Sequence, residues 1–453
     1  MPSPRVSLWR DRFVRFAAGA GGTILGALAG VVRNKWLATH LETSGLGILS
    51  QVVASQSWFG ALIGLGLGLP LTRSVAAAAG RGDDEAARRS TTTAFALVFA
   101  TSIPAALLVL AFADRISALL LGTTEHAALI GVSAFGLVGV GLFGVAQGLC
   151  AGRSDVRAPI AFVVGGAGAA TVLTFALVPR FGLVGATVAA AVLYPVGTAV
   201  MLWVHKRRYP EALGPRPKSL FDRREAKALL SVSGAALALP VLDQGVLLAL
   251  RAHVVRTHGA DANGLLQAAL ALSQMVGALF YAYLASYAFG KISAAGGVTG
   301  IQAYTRKQWV PLVGAASLAL AFAMVAAAPL LHLLYSSRFD PARAMMSYTL
   351  VGEFGRVCLQ AVSLGSLPLA GASLWFRIGV VQPVALAVCY AGFAAAGSGP
   401  LALPRAYAAA GAITFAVGAW LMARAGVSLG ARNLAVGAAG YALLLVLLRF
   451  AMA

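Results

Sequence analysis

The chain has one rhythm from end to end: apolar runs separated by short segments of Arg, Lys, Pro and Gly. A helix rising 1.5 Å per residue needs about 20 mostly apolar residues to cross a hydrocarbon core about 30 Å thick. Each run therefore predicts a membrane-spanning helix. Thirteen fall at 14–35, 46–70, 91–113, 126–149, 158–178, 183–204, 228–250, 262–289, 309–331, 343–365, 371–392, 402–423 and 432–451. The longest polar stretch, His205 to Lys227, follows the sixth run. Arg5, Arg10, Arg12 and Arg15 precede the first run as in a signal peptide, but that run continues without a convincing cleavage site. It reads as a retained span.

The charges test this placement, because Lys and Arg collect in the cytoplasmic segments of membrane proteins. With the N-terminus in the cytoplasm, the inner segments hold four basic residues before the first span, four in 73–89, two in 153–157, eight in 206–227, three in 291–307, Arg377, and two in 424–432. That is 24 of the 35 basic residues, against ten outside and Arg356 within a span. The bias predicts a multi-pass protein of the cell inner membrane with a cytoplasmic N-terminus.

Composition agrees: 59% of the 453 residues are hydrophobic and 11% charged, where a soluble domain carries about 25% charged residues. The net charge of +20 would suggest nucleic acid in a soluble protein. Here the basic residues flank apolar runs, so the lipid bilayer is the expected partner and nucleic acid is not. Cys150, Cys358 and Cys389 lie inside apolar runs without the spacing of a disulfide framework or a zinc site. They are expected to be small buried residues, and no metal or cofactor is indicated.

The basic stretch splits the spans into two groups, each ending in a similar pattern: Pro179, Arg180, Gly185, Ala186, and Pro404, Arg405, Gly411, Ala412. The expected organisation is a six-helix lobe at 1–205, a basic cytoplasmic linker at 206–227, a second six-helix lobe at 228–424 and an additional helix at 425–453. Small residues recur in nearly every span, as in GAGGTILGALAG and GGAGAAT. In lipid, where no hydrophobic effect drives helices together, they permit close backbone packing.

Several segments carry a family resemblance. Arg33 is followed by ETSGLGILSQ (42–51), the second span closes with GLGLGLPLTRSVA (64–76) before GRGDDEAARR (80–89), and QGLCAGRSDVRAP (147–159) follows the fourth. FGLVGATVAAAV (181–192) and HGADANGLLQAALAL (258–272) complete the set. In order and spacing, up to about residue 425, the chain resembles the polysaccharide-transporter branch of the multidrug/oligosaccharidyl-lipid/polysaccharide (MOP) exporter superfamily, which contains the O-antigen flippases. It departs from that pattern where an Asp-Arg pair late in the seventh helix is Leu250 and Arg251, and where Gly-Leu-Tyr is Gly-Leu-Gly (45–47) and Gly-Leu-Leu (264–266). The resemblance implies an all-α fold of about 12–13 transmembrane helices, in two six-helix lobes around a central cavity that opens alternately to each side. It further implies a polyprenyl-pyrophosphate-linked oligosaccharide as cargo, moved from the cytoplasmic to the periplasmic leaflet for surface polysaccharide biosynthesis, with other polysaccharide-assembly membrane proteins as partners.

Charges that interrupt the spans are the candidate functional residues, since a charge at mid-bilayer costs at least about 2.5–3.5 kcal/mol and normally faces protein or water. Arg33 and Lys35 end the first span; they either snorkel to the interface or line a cavity and attract a diphosphate. Arg251 and Arg356 are the other cationic candidates. Asp243, shortly after Pro240, either caps a broken helix or pairs with a basic residue in the bundle, or else acts as a coupling or gating acid. Glu353 and Arg356, three residues apart, share a helical face and suit an ion pair or a substrate or proton role. Trp36, His40, Glu42, Trp58, Tyr281, Tyr283 and Tyr287 suit an interfacial belt or contact with sugar, and Tyr281 and Tyr283 point about 200° apart on a helix.

These residues favour a flippase, because basic groups in a cavity fit an anionic diphosphate. A cation-coupled multidrug exporter of the same superfamily is the alternative, in which Asp243 and Glu353 carry the coupling. A membrane glycosyltransferase or polymerase is a third class, but the outer loops are short and hold no acidic pair. There is no phosphate-binding Gly-Lys-Ser/Thr loop and no metal-ligand spacing, so no catalytic residue is expected.

Overall fold

The structure is a computed structural model that describes residues 4–210 and 221–452. The side chains of residues 4–28, 232, 235, 236, 286, 372 and 452 fall outside that description. The centre of the expected linker, 211–220, and the side chains of Arg5, Arg10, Arg12 and Arg15 therefore lie outside the described residues.

All regular structure among the described residues is helical, as the bilayer requires: with no water to bond to, a spanning backbone must satisfy its own amides and carbonyls. Among the described residues, nine helices are long and apolar enough to cross a membrane. Three of them contain a break, at Glu42 (φ 58°), Gly182 (φ 50°) and Gly259 (φ 85°). Counting the arms on either side of each break separately makes twelve. The thirteenth, Ala342–Ser363, has 22 residues, about 33 Å of helix, and carries Arg343, Glu353 and Arg356 among its polar residues. The thirteen apolar runs of the sequence thus have thirteen helical counterparts. Where loops were expected at three outer ends, a single residue with positive φ turns the chain instead.

The chain divides into two compact units, Met1–Leu41 with Leu49–Val241, and Glu42–Ile48 with Leu242–Ala453. The first unit contains most of α1 (Pro4–Ile63), then α2 (Gly68–Gly80), α3 (Asp84–Ala111), α4 (Ala113–Leu121), α5 (Ala127–Gly152), α6 (Arg157–Phe162), a π-helical turn at Val163–Ala167, α7 (Gly168–Arg208) and the start of α8 (Arg223–Tyr283). At its centre α5 packs against α2, α3 and α7 and buries Leu137, Val145 and Leu149 completely. The second expected span ends early: positive φ at Leu65 and Gly66 breaks the helix, and α2 continues as a separate element. Asp83 caps α3 by accepting from the Ala86 amide, which places the start of that helix in the polar GRGDDEAARR segment.

The second unit holds the rest of α8, a π-helical turn at Leu284–Ala288, α9 (Phe289–Ala294), α10 (Gly297–Val325), α11 (Ala327–Leu334), α12 (Ala342–Ser363), α13 (Ser366–Ala395), α14 (Ala402–Arg424) and α15 (Ala431–Met452). Here α12 is central, packed against α14, α10 and α15, and nearly all its residues are buried. A helix enclosed by protein can carry charge that a lipid-facing helix cannot. Conversely, α10 exposes Leu318, Phe322 and Val325 on one face and buries Val313, Ala316 and Leu320. Such an apolar exterior would be anomalous in water; against lipid tails it carries no penalty.

Candidate functional site

The buried polar centre of the second unit is built around Glu353. Gly352 on α12 faces Gly411 on α14 so closely that a Cβ on either would lie 2.5 Å from a carbonyl oxygen of the other helix. This approach sets Tyr407 of α14 beside Glu353. On α8, a Cβ at Gly277 would lie 2.1 Å from Glu353 Oε1, so the glycine leaves the space that the carboxylate occupies. Glu353 is wholly buried and accepts from two tyrosines: Tyr281 Oη to Oε1 at 2.6 Å and Tyr407 Oη to Oε2 at 2.8 Å. A buried carboxylate is tolerated only when its acceptor sites are filled in this way.

The network continues toward a more accessible end. Arg356 Nη1 donates to Tyr407 Oη at 2.8 Å, and its Nη2 lies 3.8 Å from Asp243 Oδ2. The side chains of Arg356 and Asp243 are 27% and 38% exposed, so the sequence Asp243, Arg356, Tyr407, Glu353, Tyr281 runs from a partly open group to a closed one. The expected partners Glu353 and Arg356 are thus bridged by the Tyr407 hydroxyl. Tyr281 serves this network, whereas Tyr283 and Tyr287 meet as a tilted ring pair with centroids 5.6 Å apart and are exposed. Tyr407 was not anticipated; its only sign in the sequence is a phenol opposite glycine-bearing neighbours within an apolar helix.

Arg251 belongs to a different polar corner. It is 5% exposed, and its Nε donates to Asn263 Oδ1 at 3.0 Å, while Asn263 Nδ2 donates to Gly47 O at 2.7 Å. Thr43 donates to Asp261, and Glu42 pairs with Arg338. The segments ETSGLGILSQ and HGADANGLLQAALAL therefore meet, with Gly47 against Gly264.

Arg33 and Lys35 lie in the first unit and are half-buried. The Nε of Arg33 is buried and has no hydrogen-bond partner among the described residues. Trp36 packs edge-on to Phe175 at 4.7 Å and against His40 at 4.0 Å. Of the six candidate charges, the structure brings together Asp243, Glu353 and Arg356, and anchors Arg251 separately in the same unit. The first unit has its own buried polar cluster at the end of QGLCAGRSDVRAP: Asp155 Oδ2 lies 2.8 Å from His205 Nδ1, and Oδ1 accepts from Arg208 Nη1 at 3.1 Å and from the Arg157 amide at 3.1 Å.

In sequence, the profile of the family described as "Lipid II flippase MurJ" matches residues 2–254, and no curated protein matches the chain. Among solved structures, the chain is similar to an inward-facing multidrug resistance MATE family transporter of the MOP superfamily, with TM-score 0.72, 16% identity, and coverage of 88% of this chain and 94% of that one. It is also similar to the lipid II flippase MurJ in an inward closed conformation, with TM-score 0.71, 12% identity, and coverage of 94% and 91%. A MOP superfamily transporter from Pyrococcus furiosus aligns at TM-score 0.60 and 17% identity, with coverage of 91% and 94%. Two of these neighbours carry the name of the superfamily to which the sequence motifs pointed, and the profile that matches the chain is that of the lipid II flippases. With a match over more than half its length, this multi-pass membrane protein belongs to the MurJ lipid II flippase family.

Proposed function

We propose that the protein is a flippase that carries a polyprenyl-pyrophosphate-linked glycan from the cytoplasmic to the periplasmic leaflet of the inner membrane by alternating access. The observation that carries this reading is the family match over residues 2–254. That family's description names lipid II, which has this chemistry, so lipid II is the first cargo to test and an oligosaccharide for surface polysaccharide the second. The chain works as two lobes, 1–205 and 228–424, with 425–453 as an added helix and the N-terminus in the cytoplasm.

The pyrophosphate is the costly part of the cargo to move through lipid, and its charge must be neutralised on the way. Arg33, Lys35, Arg251 and Arg356 supply that countercharge in the proposed mechanism. Arginine suits it through bidentate hydrogen bonds to phosphate oxygens. The partial exposure of Arg356 beside Asp243 supports this role, since a phosphate can displace a carboxylate held at 3.8 Å more readily than a tight pair. Asp243 and Glu353 then serve as the coupling or gating acids: when Asp243 releases Arg356, the hydrogen bonds through Tyr407 to Glu353 change with it.

The test is flipping of a fluorescent polyprenyl-pyrophosphate glycan in proteoliposomes. The reading expects at least about a tenfold loss in Arg356→Ala, equivalent to about 1.4 kcal/mol, and measurable losses in Arg33→Ala and Arg251→Ala. Full transport in all three variants would overturn the basic-site mechanism. The buried acid Glu353 favours one second reading, cation-coupled drug export, for which a proton-driven efflux lost in Glu353→Gln, without any glycan flipping, is the distinguishing result.

A further inference from the structure

We infer that the crevice where α15 starts against α10 binds the phosphodiester headgroup of an anionic glycerophospholipid. The crevice, about 390 Å³ in volume, is lined by Arg306 and Lys307 of α10 and by Gly430, Ala431, Arg432 and Asn433 at the start of α15. Both helices belong to the second unit. Hydrogen bonds strap the two together: Arg306 Nε donates to Ser428 O at 2.9 Å and its Nη2 to Ser428 Oγ at 2.8 Å. Asn433, only 6% exposed, donates from Nδ2 to Arg306 O at 3.2 Å, and the buried Trp309 donates from Nε1 to Asn433 O at 2.7 Å. The walls of the crevice are therefore fixed in place.

Its charge is uncompensated. Arg306 bonds only neutral oxygens of Ser428, which leave its positive charge in place. Lys307 and Arg432 are exposed and have no ion pair among the described residues. The second unit contains five acids, and all are engaged elsewhere: Glu42 with Arg338, Asp243 with Arg356, Asp261 with Thr43, Asp340 with His332, and Glu353 with Tyr281 and Tyr407. No Asp or Glu occurs in 262–339 or in 354–453. The helix end adds donors of the same polarity. The first bond of α15 runs from the Leu434 amide to Gly430 O at 3.1 Å, so the amides of Ala431, Arg432 and Asn433 precede any intrahelical acceptor. Three cations beside such amides suit a phosphate group.

Position selects a lipid over a soluble anion. Lys307 and Arg432 stand where two apolar runs begin, and Leu434, two residues beyond Arg432, is 47% exposed. A phosphodiester in the crevice therefore sits at headgroup level with its acyl chains free to lie along the apolar face of α15. Basic pockets between spanning helices hold anionic headgroups in this way. The same three cations oppose the ammonium of phosphatidylethanolamine, so the site selects lipids of net negative charge. None of these residues takes part in the transport mechanism proposed above, so the two readings fail independently.

The test is native mass spectrometry of the full-length protein released from detergent, titrated with phosphatidylglycerol, phosphatidylethanolamine or inorganic phosphate. One phosphatidylglycerol should be held at least about tenfold more tightly than phosphatidylethanolamine. Each basic residue near an anionic headgroup contributes roughly fivefold in affinity, so Lys307→Gln with Arg432→Gln should weaken that binding by at least about tenfold. The control Lys291→Gln with Arg377→Gln removes equal charge elsewhere in the second unit and should leave it unchanged. Ala431→Pro deletes one amide donor at a position where proline suits a helix start, without changing charge, and should weaken binding measurably. Equal retention of the two lipids by the wild type overturns the site, whether or not the variants fold. An equal loss in the control pair, or indifference to Ala431→Pro, reduces the crevice to general surface charge and also overturns it. Displacement of phosphatidylglycerol by inorganic phosphate at equal concentration overturns the lipid as occupant.

Discussion

Replacing Tyr407 with Phe removes one oxygen and no packing volume, so its cost isolates the hydrogen bonds. The lost hydroxyl donates to Glu353 at 2.8 Å and accepts from Arg356 at 2.8 Å. Hydrogen bonds to charged groups contribute about 1.5–3 kcal/mol each in soluble proteins, whereas interhelical bonds measured in a membrane protein average about 0.6 and reach about 1.7 kcal/mol. The Arg356 side chain is 27% exposed, so its half of the interaction is partly replaced by water. The Glu353 half is wholly buried and sits near the upper end of the membrane range. The expected loss is about 2 kcal/mol. Tyr281→Phe removes a single bond to the same carboxylate and should cost about 1 kcal/mol. Unfolding in detergent, measured for the single variants and for the double variant Tyr407→Phe with Glu353→Gln, gives the coupling directly. A coupling below about 0.5 kcal/mol, the level of simple additivity, would refute the view that Tyr407 works through Glu353.

Gly277→Ala should destabilise the protein by more than about 1 kcal/mol, because its Cβ would fall 2.1 Å from Glu353 Oε1; Gly314→Ala, with nothing within 4 Å, should be neutral in the same unfolding assay. Glu42→Gly should raise stability by about 1 kcal/mol: Glu42 holds φ 58° and ψ −165°, a region open essentially to glycine alone at a cost of about 1–3 kcal/mol for other residues. Its ion pair with Arg338 joins two side chains more than half exposed, and such pairs contribute about 0–1 kcal/mol. A lowered midpoint in Glu42→Gly would show that the Arg338 contact, rather than the backbone, sets the balance there.

Much of the fold was legible because the membrane imposes local rules. A span must be apolar over about 20 residues and must close its own backbone hydrogen bonds, and both requirements can be read from a single stretch of sequence. Even Ala342–Ser363, the most polar span, was recognisable by length, and the two charges in its interior, Glu353 and Arg356, marked it as a functional candidate. The turns were less legible: nothing near Glu42 or Gly182 announces that one residue replaces a loop, since that depends on where the two arms are held.

The partners of each charge depended on tertiary structure. Glu353 was visible as an unusual acid, but Tyr281 and Tyr407, which satisfy it, lie 72 and 54 residues away, and no periodicity links them. Likewise nothing in the sequence ties Asp155 to His205, which lies 50 residues beyond it and meets it in a buried hydrogen bond. Sequence alone determined where the helices run, because hydropathy is additive along a segment. Only the packing of those helices decided which polar groups meet, because a buried charge is stabilised by neighbours that the chain must travel far to supply.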